Sequence, residues 1–277
     1  MITGCNGQLG TEMQKRLREE EYIAVDRTTL PIENITSEWL KSKGISHIVN
    51  CAAYTAVDAA ESHVEEAFKT NAISVGKMAA AAAKANVKVL HISTDYVFDG
   101  ESDQPYSEDS MPAPLQVYGQ SKLMGEQLLR EQYPAAIILR TQWLYSPYRH
   151  NFVKTILRLA AEKKPLRVVN DQKGSPTSAR SLANVVYGII TGAWIPGIYN
   201  YSNTGVISWY DFACEILKLG GYSTDIISPL STADYPTVAE RPTNSVLNKT
   251  KIIKTYALHI PDWRDELRDC IEQINQI

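Results

Sequence analysis

Tyr118 and Lys122 stand four residues apart in Tyr118-Gly119-Gln120-Ser121-Lys122. On a helix, positions i and i+4 share a face. An ammonium beside a phenol stabilises the phenolate and lowers the tyrosine from its usual pKa of about 10. Such a tyrosine exchanges a proton with a carbonyl oxygen while hydride moves at the carbon. By itself, Y-x-x-x-K is equally a pair on a solvated helix face. Ser93-Thr94-Asp95-Tyr96 follows an apolar run that ends at Ile92. Ligands in open α/β sheets sit beyond the carboxyl ends of the strands. Thr94 is therefore placed to hydrogen-bond the carbonyl that Tyr118 protonates.

A second set of residues is suited to a dinucleotide. Gly4-Cys5-Asn6-Gly7-Gln8-Leu9-Gly10 spells G-x-x-G-x-x-G between a short apolar stub and a helical pattern. Glycines let the backbone turn tightly against a pyrophosphate, and the helix N-terminus offers amide donors. An ordinary glycine turn would look the same, but Asp26 follows Gly4 by 22 residues. A carboxylate there accepts from an adenosine ribose. Asp26 repels a 2′-phosphate and so favours NADH, while Arg27 can stack on adenine or hold that phosphate. Both NADPH and NADH remain open. No Lys-Ser or Lys-Thr follows the glycines, which argues against a P-loop.

The elements that position these groups alternate. Strand patterns cover residues 22–26, 47–52, 88–93 and 136–140. Helical patterns cover residues 8–20 and the alanine-rich stretch 64–85. Apolar strands separated by helices predict an α/β fold, a Rossmann-like doubly wound parallel sheet covered on both faces. Only three residues precede Gly4, so the first strand is either a stub or trimmed at the chain start. After about residue 145 the pattern changes. Residues 152–162, 181–191 and 263–274 read as helices, 166–169 as a strand, and 223–248 as loop. The expected organisation is an NAD(P)-binding domain over 1–145, completed by part of 163–195. A smaller, discontinuous substrate-binding domain then takes most of 146–277.

Composition narrows the function classes. The 277 residues carry 28 Lys+Arg against 31 Asp+Glu, a net charge of −3. That near-neutral balance argues against nucleic acid or an anionic membrane as partner. No apolar run approaches the roughly 20 residues of a membrane span. Cys5, Cys51, Cys214 and Cys270 form no C-x-x-C pair, and the five histidines are scattered. Neither a zinc site nor a disulfide framework is expected, and no export signal is visible. The expected location is the cytoplasm, with Cys5 and Cys51 as small apolar fillers.

The paired G-x-x-G-x-x-G and Y-x-x-x-K motifs resemble the extended short-chain dehydrogenase/reductase family. Residues 49–58, 93–98, 140–143, 169–172 and 241–245 extend the likeness to its dTDP-4-dehydrorhamnose reductase branch, over nearly the whole chain. This resemblance implies NAD(P)H-dependent reduction of the 4-keto group of dTDP-4-dehydro-L-rhamnose to dTDP-L-rhamnose. It implies catalytic roles for Tyr118 as proton donor, Lys122 as holder of the nicotinamide ribose, and Thr94 as the hydroxyl beside the carbonyl. Gly4, Gly7, Gln8, Leu9, Gly10, Asp26, Asn34, Ile35, Ala53, Tyr54 and Thr55 match cofactor positions. Asp95 and Trp143 match substrate contacts. Arg241 and Asn244 are candidates for the diphosphate, since a guanidinium fork suits phosphate. Asn71 matches a helix asparagine tied to a proton relay.

Each has a plainer reading. Trp143 packs in a core, Asn71 caps or kinks a helix, and Arg241 pairs with Glu240 or Asp234; Tyr54 and Tyr96 read as packing. Some family members dimerise through magnesium held by carboxylates. Glu12 matches one such position, but Arg180 stands at another, and a cation cannot ligate magnesium. The expectation is therefore no metal, and a monomer or homodimer. Asn34 replaces an aspartate and removes a charge near adenine. Two rival readings stay open. A 4,6-dehydratase or epimerase of the same fold is one, although a dehydratase needs Glu after Thr94-Asp95, where this chain has Tyr96. A non-catalytic regulatory subunit is the other, set against the joint presence of Thr94, Tyr118 and Lys122.

Overall fold

The computed structural model describes residues 1–18 and 21–276. In chain order the first elements are β1 (Ile2–Thr3), α1 (Gln8–Arg16), β2 (Ala24–Val25), α2 (Ser37–Ser42), β3 (His47–Asn50), α3 (Val57–Ala60), α4 (Val64–Phe68), α5 (Ser74–Ala85), β4 (Lys88–Thr94), α6 (Val117–Gln132), β5 (Ile137–Thr141) and β6 (Leu144–Tyr145). There follow α7 (Phe152–Ala161), β7 (Leu166–Val169), β8 (Lys173–Gly174), β9 (Thr177–Ser178), α8 (Ala179–Thr191), β10 (Gly197–Asn200), β11 (Ile207–Ser208), α9 (Trp209–Leu219), β12 (Ile227–Leu230), α10 (Thr250–Tyr256) and α11 (Trp263–Ile274).

Six of these strands make one parallel sheet in the order β10-β5-β4-β3-β1-β2. The fold is the doubly wound α/β class that the alternating pattern predicts. Strand order reverses between β1 and β3, and that switch point is where such sheets bind ligands. β1 is only two residues long, yet it pairs with β2 on one side and β3 on the other. The register sets Thr3 beside Asn50 and Thr94 beside Thr141. The carboxyl ends of β1, β3, β4 and β5 therefore open onto one edge.

Two apolar cores lie on opposite faces of the sheet. Leu40, Val75, Met78 and Leu129 join α2, α5 and α6 to one face. Leu9, Met13, Leu182, Val186 and Ile252 join α1, α8 and α10 to the other. Along β4, period-two alternation sends Val89 to the first core and Leu90 to the second. A third core gathers Val153, Ile156, Phe212, Ile216, Trp263 and Leu267 from α7, α9 and α11. Among the described residues, no helix is long and apolar enough to cross a membrane.

Several expected boundaries shift. The first helix ends at Arg16; residues 19 and 20, where the pattern continues it, lie outside the described residues. The second strand shrinks to Ala24–Val25 because it is an edge with one partner. The stretch 64–85 is not one uniform α-helix: Lys69–Ile73 is a π-helical turn between α4 and α5. The helix expected over 181–191 begins at Ala179, with Ser178 as its cap. Residues 223–248 are not all loop, since Ile227–Leu230 pairs in parallel with β7. Pro229 hid this strand; a two-stranded ribbon leaves each strand an open side that needs no donor.

Candidate active site

The glycine-rich turn is built for close approach. Gly4 has φ +61°, and a Cβ there would stand 2.7 Å from the Ala52 nitrogen. A Cβ on Gly10 would meet the Gly4 carbonyl oxygen at 2.4 Å. The turn after β1 is thus pressed against the segment after β3, and α1 against the turn. Gly7 caps α1 without a side-chain hydrogen bond, so the first-turn amides carry no capping acceptor. That pattern fits a pyrophosphate. It is offered by backbone alone: Leu9 is buried in the core, and Gln8 accepts from Ser146 and Asn151, each at 3.0 Å.

Asp26 lies next to this turn, hydrogen-bonded by the Asn6 amide. Its other oxygen accepts from the backbone and hydroxyl of Thr28 and Thr29. These donors hold the carboxyl far below the usual carboxylate range. Asp26 is therefore a permanent anion at the end of β2, where a ribose would sit. Asn34 is exposed, whereas Ile35 is buried, 3 % exposed, in the sheet core beneath α5. Ile35 thus packs the core rather than facing a ligand. Ala53, Tyr54 and Thr55 form the segment after β3, and Asn71 ties it down. Its amide exchanges two hydrogen bonds with the Tyr54 backbone and donates to the Ser121 hydroxyl at 3.0 Å. Asn71 therefore both sits in the π-helical turn and links that segment to α6. Gly125 permits this packing, since a Cβ there would lie 2.0 Å from the Asn71 carbonyl oxygen.

Thr94, Asp95 and Tyr118 converge at the carboxyl end of β4. The Thr94 hydroxyl donates to Asp95 at 3.0 Å and faces the Tyr118 phenol. Tyr96 meets Tyr118 edge to face, with ring centroids 5.6 Å apart. The expected lowering of the Tyr118 pKa by Lys122 is reversed here. Burial pushes the phenol up, Thr94 opposes this weakly, and Asp95 adds to it. The reason is the lysine's direction: Lys122 Nζ donates to the Ile92 carbonyl at 2.6 Å and contacts His91 Nε2 at 3.2 Å. Tyr118 therefore keeps its proton, as a proton donor must. Sequence reasoning missed His91, although a titratable residue inside an apolar strand run was its visible signal.

Asp95 is 2 % exposed, and its Oδ2 has no hydrogen-bond partner. Burial raises its pKa to about 7, against weaker hydrogen bonds from Ser245 and Thr94. An unfolded aspartate titrates near about 3.9, so charging Asp95 opposes folding. That penalty is absent below about pH 4, grows to pH 7 and is complete above it. Asp95→Asn is accordingly expected to raise Tm at pH 8 and leave it nearly unchanged at pH 4. Thermal scans at the two pH values check this; equal shifts would place the effect elsewhere.

Other buried polar atoms near these strand ends also lack partners: Ser93 Oγ, Thr141 Oγ1, Gln142 Nε2 and the Gln116 amide. Buried polar groups are normally satisfied, so this edge presents donors and acceptors to a polar ligand. Trp143 borders it with φ +47°, a rare conformation for a bulky aromatic. The ring stacks on Trp209 at 3.6 Å between centroids, and Gly174 leaves it room. Arg241 pairs not with Glu240 or Asp234 but with Asp58 at 2.6 Å and the Tyr96 hydroxyl at 3.0 Å. Asn244 is spent on the main chain, donating to the Ser102 carbonyl and accepting from the Val246 amide. It positions the loop beside the site rather than offering free atoms to a diphosphate. Arg180 pairs with Glu266 and Asp269, and Glu12 is buried with its pKa raised by desolvation. Burial also pushes the Cys51 thiol up to about 12, as suits an inert filler.

A Rossmann-like sheet with this glycine turn and a Tyr/Lys pair past β4 defines an NAD(P)H-dependent oxidoreductase of the short-chain dehydrogenase/reductase kind. More narrowly, the chain belongs to the family described as the RmlD substrate binding domain, whose model matches residues 1–276. It is 40% identical to the dTDP-4-dehydrorhamnose reductase of Aggregatibacter actinomycetemcomitans, over 97% of each chain. The crystal structure of a dTDP-4-dehydrorhamnose reductase from Clostridium acetobutylicum superposes with a TM-score of 0.94 at 38% identity, covering 99% of this chain and 98% of that one. The dTDP-4-dehydrorhamnose reductase of Bacillus anthracis in complex with NADP gives 0.93 at 37% identity, covering 98% of both.

Proposed function

We propose that this chain reduces the 4-keto group of dTDP-4-dehydro-L-rhamnose with NADPH or NADH, in dTDP-rhamnose biosynthesis. The observation that carries the reading is the convergence of Thr94, Tyr118 and Lys122 beside the glycine turn. Full-length likeness to the named reductases supports the substrate. The backbone of residues 4–10 and Asp26 hold the dinucleotide, with Ala53, Tyr54 and Thr55 closing its other side. When bound, the reduced cofactor supplies the hydride. Thr94 hydrogen-bonds the carbonyl oxygen, and Tyr118 gives it the proton. Lys122 holds the nicotinamide ribose and stabilises the phenolate left behind. Asp95, Trp143 and the unpartnered polar atoms orient the sugar, and Arg241, which Asp58 and the Tyr96 hydroxyl hold, exchanges these partners for the diphosphate.

Residues 1–145, completed by the part of 163–195 that forms α8 and further by β10 at Gly197–Asn200, make the cofactor-binding part in this reading, and the remainder the substrate-binding part. The protein works in the cytoplasm as a monomer or homodimer. The deciding experiment follows near-ultraviolet absorbance of NADPH and NADH with the keto sugar generated in situ. Substrate-dependent oxidation is expected; none, with cofactor binding intact, would turn the search to other sugar ketones or a regulatory role. Asp26→Ala is expected to weaken NADH more than NADPH, because only the 2′-hydroxyl gains from the carboxylate. Fluorescence titration checks this, and equal losses would mean that Asp26 only shapes the turn at residues 26–29.

A further inference from the structure

Behind Lys122 lies a buried chain of polar side chains that the reaction scheme does not use: Thr3, Asn50 and His91, each fully enclosed. Its hydrogen atoms can be placed by elimination. Asn50 Oδ1 accepts from the Ala52 main-chain N–H at 3.2 Å and from the Thr3 hydroxyl at 2.5 Å. A main-chain N–H cannot accept, so the oxygen end of this amide is fixed. Asn50 Nδ2 is then the atom 2.8 Å from His91 Nδ1, and it can only donate. His91 Nδ1 accepts and carries no proton. A neutral imidazole has one N–H, which falls on Nε2, 3.2 Å from Lys122 Nζ.

That contact decides the state of the lysine. An N–H facing an ammonium brings two donors together with no acceptor. An N–H facing an amine is a hydrogen bond, and the amine's own hydrogen still reaches the Ile92 carbonyl at 2.6 Å. We propose that His91 favours the neutral amine of Lys122 in the cofactor-free protein, so that the amine fraction of Lys122 takes up a proton as it moves to the nicotinamide ribose. The hydroxyls of that ribose provide oxygen acceptors for an ammonium and draw Nζ away from the imidazole N–H. His91 is thus a positioning residue that couples cofactor binding to the charge of Lys122. The inference rests on the reading of Lys122 as the ribose ligand.

The surroundings agree. Burial lowers Lys122 to about 8, and holds His91 well below its usual value. The other ionisable groups facing Lys122 are Cys51, after β3, and Glu126, one turn along α6. Glu126 is already paired with Arg140 of β5. Both favour the ammonium, Glu126 more than Cys51, but burial outweighs them.

Two measurements test the coupling. Nitrogen-15 spectra of imidazole-labelled protein without cofactor should show His91 as the Nε2–H tautomer, not titrating between pH 5 and 8. Calorimetry of NAD⁺ binding in buffers of different ionisation enthalpy should show proton uptake that grows from pH 7 to pH 9. NAD⁺ has no 2′-phosphate to titrate and no hydride to transfer. In His91→Gln, the side-chain oxygen can accept from an ammonium, so the uptake should fall at least about twofold. An Nδ1–H tautomer, absence of uptake, or uptake unchanged in His91→Gln would each overturn the proposal. If that variant does not fold, the wild-type tautomer and proton count decide alone. Neither measurement uses a sugar, so a protein that passes both but leaves the keto sugar untouched fails the functional reading only.

Discussion

Tyr118→Phe is expected to bind NADPH as the parent does and to turn over at least about 10²-fold more slowly, the usual worth of positioned proton transfer. The ring stays, so its edge-to-face packing on Tyr96 and the turn of α6 are kept. The hydroxyl goes, and with it the proton that burial holds on the phenol. Thr94 does not replace it, because an aliphatic hydroxyl hydrogen-bonds the carbonyl oxygen without giving up its proton. Fluorescence titration measures the binding, and stopped-flow loss of NADPH absorbance measures the turnover. Normal turnover would move the proton donor elsewhere, with buried Asp95, titrating near about 7, the next group to test.

The second large effect is on stability. Arg140 and Glu126 form two parallel hydrogen bonds of 2.9 and 2.6 Å, with both side chains 2% exposed. The guanidinium also lies over the Phe98 ring, 5.1 Å from its centroid. Glu126→Leu leaves a buried cation without its partner. Such a change costs about 3–5 kcal/mol, a large share of a domain's total of about 5–15 kcal/mol. Adding Arg140→Met should recover most of the loss, because an apolar pair of similar volume needs no charge solvation. Urea midpoints at unchanged slope measure both variants. A single variant as stable as the parent would show that water reaches Arg140.

The candidate catalytic residues stood out because chemistry restricts residue type. A tyrosine and lysine one helical turn apart, a threonine ending an apolar strand, and glycines before a helix together suit proton transfer beside a dinucleotide. Few chemistries call for all three in one chain. Direction was not legible. The tyrosine and lysine share α6, yet the lysine turns to Ile92 and His91, and burial sets the phenol's acidity instead. Asn244 and Ile35 carried the right residue types in matching places. The fold spends one on main-chain atoms and the other on the core.

By itself the sequence determined the α/β class and the alternation of strands and helices along the first half of the chain, and it singled out the glycine turn and the Tyr118/Lys122/Thr94 set as candidates. These follow from periodicity and local spacing, which act within one or two elements. Only the tertiary structure decided what long-range contacts control. It placed Gly197–Asn200 as the sixth strand, paired Arg241 with Asp58, and set His91 behind Lys122. Each joins groups far apart in the chain. Hydrogen-bond partners and burial depend on the packed fold, and local sequence carries no record of them.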